Sequence, residues 1–191
     1  QLLDDTAVWA VEGCATTPRR RGGTGRSRIR DTWGTPDEEA PRMANTEALD
    51  AARSRRKALH IAMVEVENAA QAPTRSQTWR AMLFAALDDL SMALEDHIAT
   101  VEAPGGIIDR VVADAPRLDV AGRRLSEDHE PLREQVAVAI NAVRAADSPP
   151  RDEDVETIHE IILELVGGLS RHRQRGSDFV WEAYDVDIGG P

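Results

Sequence analysis

From Thr46 onward, apolar residues recur every three or four positions, the period of a helix buried on one side. The first run, Thr46 to about Gln71, sets Leu49, Ala52, Arg56, Leu59, Met63, Val66 and Ala70 on one stripe, and Pro73 stops it. Thr74 or Ser76 caps a second run to about Ala103, with Leu83, Leu87, Leu90, Leu94, His97 and Val101 in register, and Pro104-Gly105-Gly106 closes it. A third region, Ile107 to Ala146, is interrupted near Pro116 and aligns Leu125, His129, Leu132, Val136, Ile140 and Val143. Pro131 removes one helical hydrogen bond there and predicts a kink. After Ser148-Pro149-Pro150, a last run from about Asp152 to Tyr184 carries Ile158, Ile161, Ile162, Leu165, Leu169, His172 and Phe179. Gly167-Gly168 lies inside it, each glycine costing about 1 kcal/mol relative to alanine. Close helix approach is the plain explanation for the pair, and local flexibility beside a site the sharper one. No stretch alternates as a strand does. The pattern predicts an all-α chain, with residues 46–191 forming an antiparallel up-down four-helix bundle that buries four stripes against one another.

Residues 1–45 lack such a period and predict a flexible N-terminal extension. Arg19 to Arg30 (RRRGGTGRSRIR) holds six Arg in twelve residues, and Thr35 to Pro41 is acidic and flanked by prolines. The arm is a candidate tether to a protein partner or nucleic acid, or a solvated linker. The short apolar fragment Ala7 to Val11 is a candidate docking segment.

Charge sharpens this division. The extension holds seven basic and seven acidic residues; the remainder holds 16 and 27, which accounts for the whole net charge of −11. A body this acidic repels a phosphate backbone and disfavours nucleic-acid binding outside the arm. At 191 residues and 41% hydrophobic, the chain is long enough for a packed core. Cys14 is alone, which excludes an intrachain disulfide and argues against a zinc–thiolate or iron–sulfur site within one chain. No apolar run is long enough to span a membrane and the N-terminus lacks a signal pattern, so the expected compartment is the cytoplasm.

The chemistry-bearing residues are the histidines. His97, His129 and His172 each fall on the apolar stripe of a different helix, and His60 sits beside its stripe next to Leu59. Each predicted helix thus brings one imidazole toward the bundle axis, where facing helices build metal sites. An imidazole placed there needs a metal, a carboxylate or a carbonyl. His159 falls one position off its stripe and reads as surface. Glu102, Glu134 and Asp178 are the nearby carboxylates that would complete a nitrogen- and oxygen-rich set suited to iron or manganese. They follow His97, His129 and His172 by five, five and six residues, whereas positions three or four apart share a helix face. A helix end at Glu102, a kink at Pro131 or a break at Gly176 would bring them round.

With His60 in the first run, LEDHIATVE closing the second, LSEDHEPLRE in the third and RHRQRGSDFVWEAYDVDIGG ending the chain, residues 46–190 resemble the hemerythrin-like (HHE cation-binding) family. The resemblance implies a four-helix bundle with a non-heme di-iron centre, two irons per chain, and the handling of O2, peroxide or NO or the sensing of iron and redox state. It implies His60, His97, His129 and His172 as the leading ligands. The positions four residues after the last three are Val101, Arg133 and Gly176, which leaves Glu102, Glu134 and Asp178 as displaced partners. Two outcomes stay open: a variant centre using these carboxylates, or a degenerate, metal-free bundle acting as an interaction module. A di-iron oxidase of a small molecule ranks third. Trp181 and Tyr184 read as packing at the bundle end, or as oxidisable neighbours of the site.

Overall fold

A computed structural model describes residues 36–74, 78–147 and 149–184, the side chains of residues 36–46 and 48 excepted. Every regular element among the described residues is helical: α1 (Pro36–Gln71), α2 (Trp79–Val101), α3 (Ile107–Asp114), a 3-10 turn (Pro116–Leu118), α4 (Asp119–Glu127), α5 (His129–Ala145) and α6 (Asp152–Tyr184). The long helices each pack against two others, α1 on α2, α2 on α5, α5 on α6 and α6 on α1. The short segments from α3 to α4 connect α2 to α5. No helix among the described residues is long and apolar enough to cross a membrane.

The first helix begins at Pro36, well ahead of Thr46. The helix is therefore present ahead of the first apolar period. Residues 1–35, with the arginine-rich segment and Ala7 to Val11, lie outside the described residues. Helix α2 begins after Thr78, with the buried Trp79 as its first residue; Thr74 precedes it and Ser76 lies outside the described residues.

The third region is broken twice. The first break, at Pro116, is the expected one. The second falls at Asp128, ahead of Pro131, so that Pro131 becomes the third residue of α5. The first N–H groups of a helix have no partner within it, so a proline there removes no hydrogen bond. Asp128 itself keeps helical dihedrals (φ −69°, ψ −24°), so a single residue separates α4 from α5 just ahead of the proline. In α6 no glycine interrupts the helix, which runs through Gly167, Gly168 and Gly176. Gly168 marks a close approach of α6 to α5: a Cβ there would stand 2.7 Å from Gln135 Oε1 and 3.3 Å from Leu132 Cδ2.

Two apolar clusters form the interior. The larger joins α1, α2, α5 and α6 through residues such as Val66, Leu87, Leu90, Val136 and Leu165. The smaller gathers Ala52, Val101, Ile107, Val111, Leu118, Leu125 and Phe179. Along α2, Leu94 and Ile98 belong to the first cluster and Val101 to the second. Leu132 and Leu125 divide in the same way around His129, as do Leu169 and Phe179 around His172. The three stripe histidines stand where one core gives way to the other.

Candidate metal centre

His97, His129 and His172 are buried, with 7%, 2% and 5% of their surface exposed. One ring nitrogen from each lies within 4.8 Å of the others. The rings pack edge to face, with centroids 5.8 Å (His97–His129), 5.6 Å (His97–His172) and 4.8 Å (His129–His172) apart. His97 Nε2 and His172 Nε2 are 3.4 Å apart. Two imidazole nitrogens on one ion, each about 2.1 Å away at a tetrahedral angle, are also separated by roughly 3.4 Å.

The outer nitrogens identify the tautomers. His129 Nδ1 donates to Glu102 Oε1 at 2.7 Å, which leaves the lone pair on Nε2, and that buried atom has no hydrogen-bond partner. His172 Nδ1 points at Asp128 Oδ2 at 3.4 Å, a long and weak bond. Asp128 is itself held by Arg175, whose Nε and Nη2 donate to the same oxygen at 2.9 and 2.5 Å. His97 Nδ1 is likewise buried without a partner. A histidine that gives its outer N–H to a carboxylate and turns its other nitrogen inward has the arrangement of a metal ligand with its supporting shell.

Burial sets the charge. It pushes His97 down to about 3, with repulsion from His172 and His129 adding to the effect. It pushes His172 down to about 4, against the opposing pull of Asp128. Both rings are neutral at pH 7 and offer lone pairs. Neutral imidazoles without thiolates suit iron, zinc, copper or nickel, so the Nε2 spacing, the neutral His97 and His172 rings and the unpaired His129 Nε2 fit a transition-metal ion.

The other expected ligands lie elsewhere. His60 is exposed, and its Nδ1 accepts from Arg173 Nη1 at 3.1 Å. Glu102 stands behind His129 and not between the rings. Glu134 is exposed on α5. Asp178 is exposed and accepts from Gln174 Nε2 at 2.8 Å. Arg133, four residues after His129, makes a bidentate pair with Glu95 that ties α5 to α2. His159 is half-buried, its Nε2 donating to the Ala70 carbonyl at 2.9 Å and its ring edge-on to Trp79. Asp128 is the carboxylate that sequence spacing missed: it sits directly before His129 but serves His172 on α6.

Beside the cluster a cleft of about 610 Å³, counting its open mouth, is lined by all three histidines, the exposed His60 and Arg173, Arg56, and apolar side chains including Leu59, Met63, Ile107 and Phe179. Fold and site together define an all-helical protein with a buried three-histidine cluster facing a largely apolar cleft. Compared with protein-family models, curated proteins and solved structures, the chain matches none.

Proposed function

We propose that His97, His129 and His172 hold one divalent transition-metal ion, iron by the family resemblance, in a hemerythrin-like up-down bundle of α1, α2, α5 and α6 that handles O2, peroxide or NO or senses iron and redox state. The observation that carries this reading is the convergence of three buried imidazoles, with His97 Nε2 and His172 Nε2 3.4 Å apart and His129 Nε2 buried without a hydrogen-bond partner. Left without a partner, His129 Nε2 would destabilise the fold by about 1–3 kcal/mol.

Bound there, the ion would supply a Lewis-acidic, redox-capable centre for a small ligand entering from the cleft. The chain's own part is to orient and to exclude. Glu102 fixes the His129 tautomer, Asp128 steadies His172, and Arg175 holds Asp128 in place. Apolar side chains of the two core clusters keep water from the inner side of the rings. One ion is favoured over two because Glu134 and Asp178 are exposed and Glu102 is already bonded to an imidazole.

The test is metal content and visible absorption after growth in iron-supplemented medium. About one iron per chain is expected, lost in His97→Ala and His172→Ala while circular dichroism stays helical. Two irons per chain would restore the dinuclear centre with displaced carboxylates. A helical protein that takes up no transition metal would refute the proposal and leave the interaction module in its place.

A further inference from the structure

The cleft beside the histidines carries a charge pattern opposite to that of the chain. The sequence holds 34 acidic residues against 23 Lys and Arg, yet Arg56 and Arg173 line this cleft and no Asp or Glu does. Arg173 donates to His60 Nδ1, which leaves His60 Nε2–H as another donor at the mouth. Arg56 lies on the inward stripe of α1, half-buried. Among the described residues its guanidinium has no hydrogen-bond or ion-pair partner. Arg55, Arg133, Arg151 and Arg175, by contrast, each pair with a carboxylate, and Arg124 and Arg171, unpaired among the described residues, are exposed to solvent. Burial, then repulsion from Arg53 and Arg173, lowers the pKa of Arg56 below the ordinary arginine value. A partly desolvated cation facing a second cation across a cleft is half of a charge pair whose other member comes from outside.

We propose that this cleft binds an organic anion with a hydrocarbon body, its carboxylate against Arg56 and Arg173 and its hydrocarbon along Leu59, Met63, Ile107 and Phe179. A bare inorganic anion would leave the apolar wall wet. A neutral apolar molecule would leave Arg56 unpaired. Both arginines belong to the cleft whether or not an ion sits on the histidines, so the inference goes beyond the metal reading and is tested apart from it.

The experiment is isothermal titration of the chelator-treated full chain with octanoate, octan-1-ol and acetate, repeated on Arg56→Met and Arg173→Met. Octanoate is expected to bind at least 10-fold tighter than octanol, and acetate to give no measurable heat. Each substitution is expected to weaken octanoate by about 10-fold, equivalent to about 1.4 kcal/mol, and to leave octanol unchanged. Arg173 is exposed, so its variant keeps the test alive if Arg56→Met fails to fold. Equal affinity for acid and alcohol, acetate binding as tightly as octanoate, no octanoate binding, or unaltered octanoate affinity in both variants would each overturn the proposal. Octanoate binding that appears only after loading with zinc or iron would also overturn it, because the carboxylate would then be held by the ion and not by the arginines.

Discussion

At the scale of single residues, the site turns on which atom of each side chain is already engaged. Glu102 spends its carboxylate on His129 Nδ1 at 2.7 Å, so it acts on a metal through the imidazole it orients. Partners of this kind set ligand direction and basicity, and losing one lowers metal affinity by about 10–100-fold. Glu102→Gln is therefore expected to weaken metal binding by that factor in competition with a chromophoric chelator, with the fold intact. Glu134→Gln and Asp178→Asn, both at exposed positions, are expected to change affinity by less than about twofold; loss of binding in either would point back to displaced carboxylates. The three buried histidines were legible because burial period and chemistry coincide at positions 97, 129 and 172. His60 is one position from Leu59, and that single step is about 100° around the helix, enough to put it outside. Asp128 was illegible for a different reason. Spacing rules search along one helix from each histidine, while Asp128 reaches from the start of α5 to His172 on α6.

At the scale of elements, the sequence locates helices better than it locates their ends. Apolar period fixes which segments coil, but not where they stop: α1 is already helical at Pro36, ahead of any apolar period, and α5 restarts just before Pro131. The glycines show the same limit, since a glycine inside a helical period reads alike whether it breaks, packs or does neither. Gly176 does neither: it continues α6, and a Cβ there would meet nothing within 4 Å. Gly176→Ala is expected to stabilise the fold by up to about 1 kcal/mol, a rise of roughly 2–4 °C in melting temperature. Gly106, ahead of α3, is the contrasting case. A Cβ there would stand 2.8 Å from the carbonyl oxygens of Ala103 and Val101, backbone atoms that cannot swing aside. Gly106→Ala is expected to destabilise by about 1–3 kcal/mol. Thermal melts of the two variants side by side check both signs, and a destabilised Gly176→Ala would mean that α6 does need a break before Asp178.

At the scale of the whole molecule, the chain carries its histidines where two apolar clusters meet, so folding and the state of the site are coupled. Metal that binds only the folded chain stabilises it by mass action, about 4 kcal/mol at a thousandfold excess over the dissociation constant. Removing it with a chelator is expected to lower the melting temperature by roughly 8–16 °C. The metal-free protein then exposes the proton linkage. His97 and His172 titrate near 6.5 when unfolded and only at about 3 and about 4 when folded. Above pH 6.5 both states hold them neutral and the pair has no effect on stability. As pH falls below 6.5 the unfolded chain takes up protons that the folded chain refuses, and stability drops until each folded pKa is reached. Each ring contributes a slope of up to about 1.4 kcal/mol per pH unit. Urea unfolding of the metal-free chain at pH 7.5, 6.5, 5.5 and 4.5 is therefore expected to show a level region followed by a steep fall. Carboxylates in ion pairs lose stability in acid too, but their loss is centred near pH 4, so the pH 6.5 to 5.5 interval isolates the histidines. A level profile across that interval would mean the rings accept protons in place. The claim that they are held as neutral lone-pair donors would then fail, even with all three still side by side.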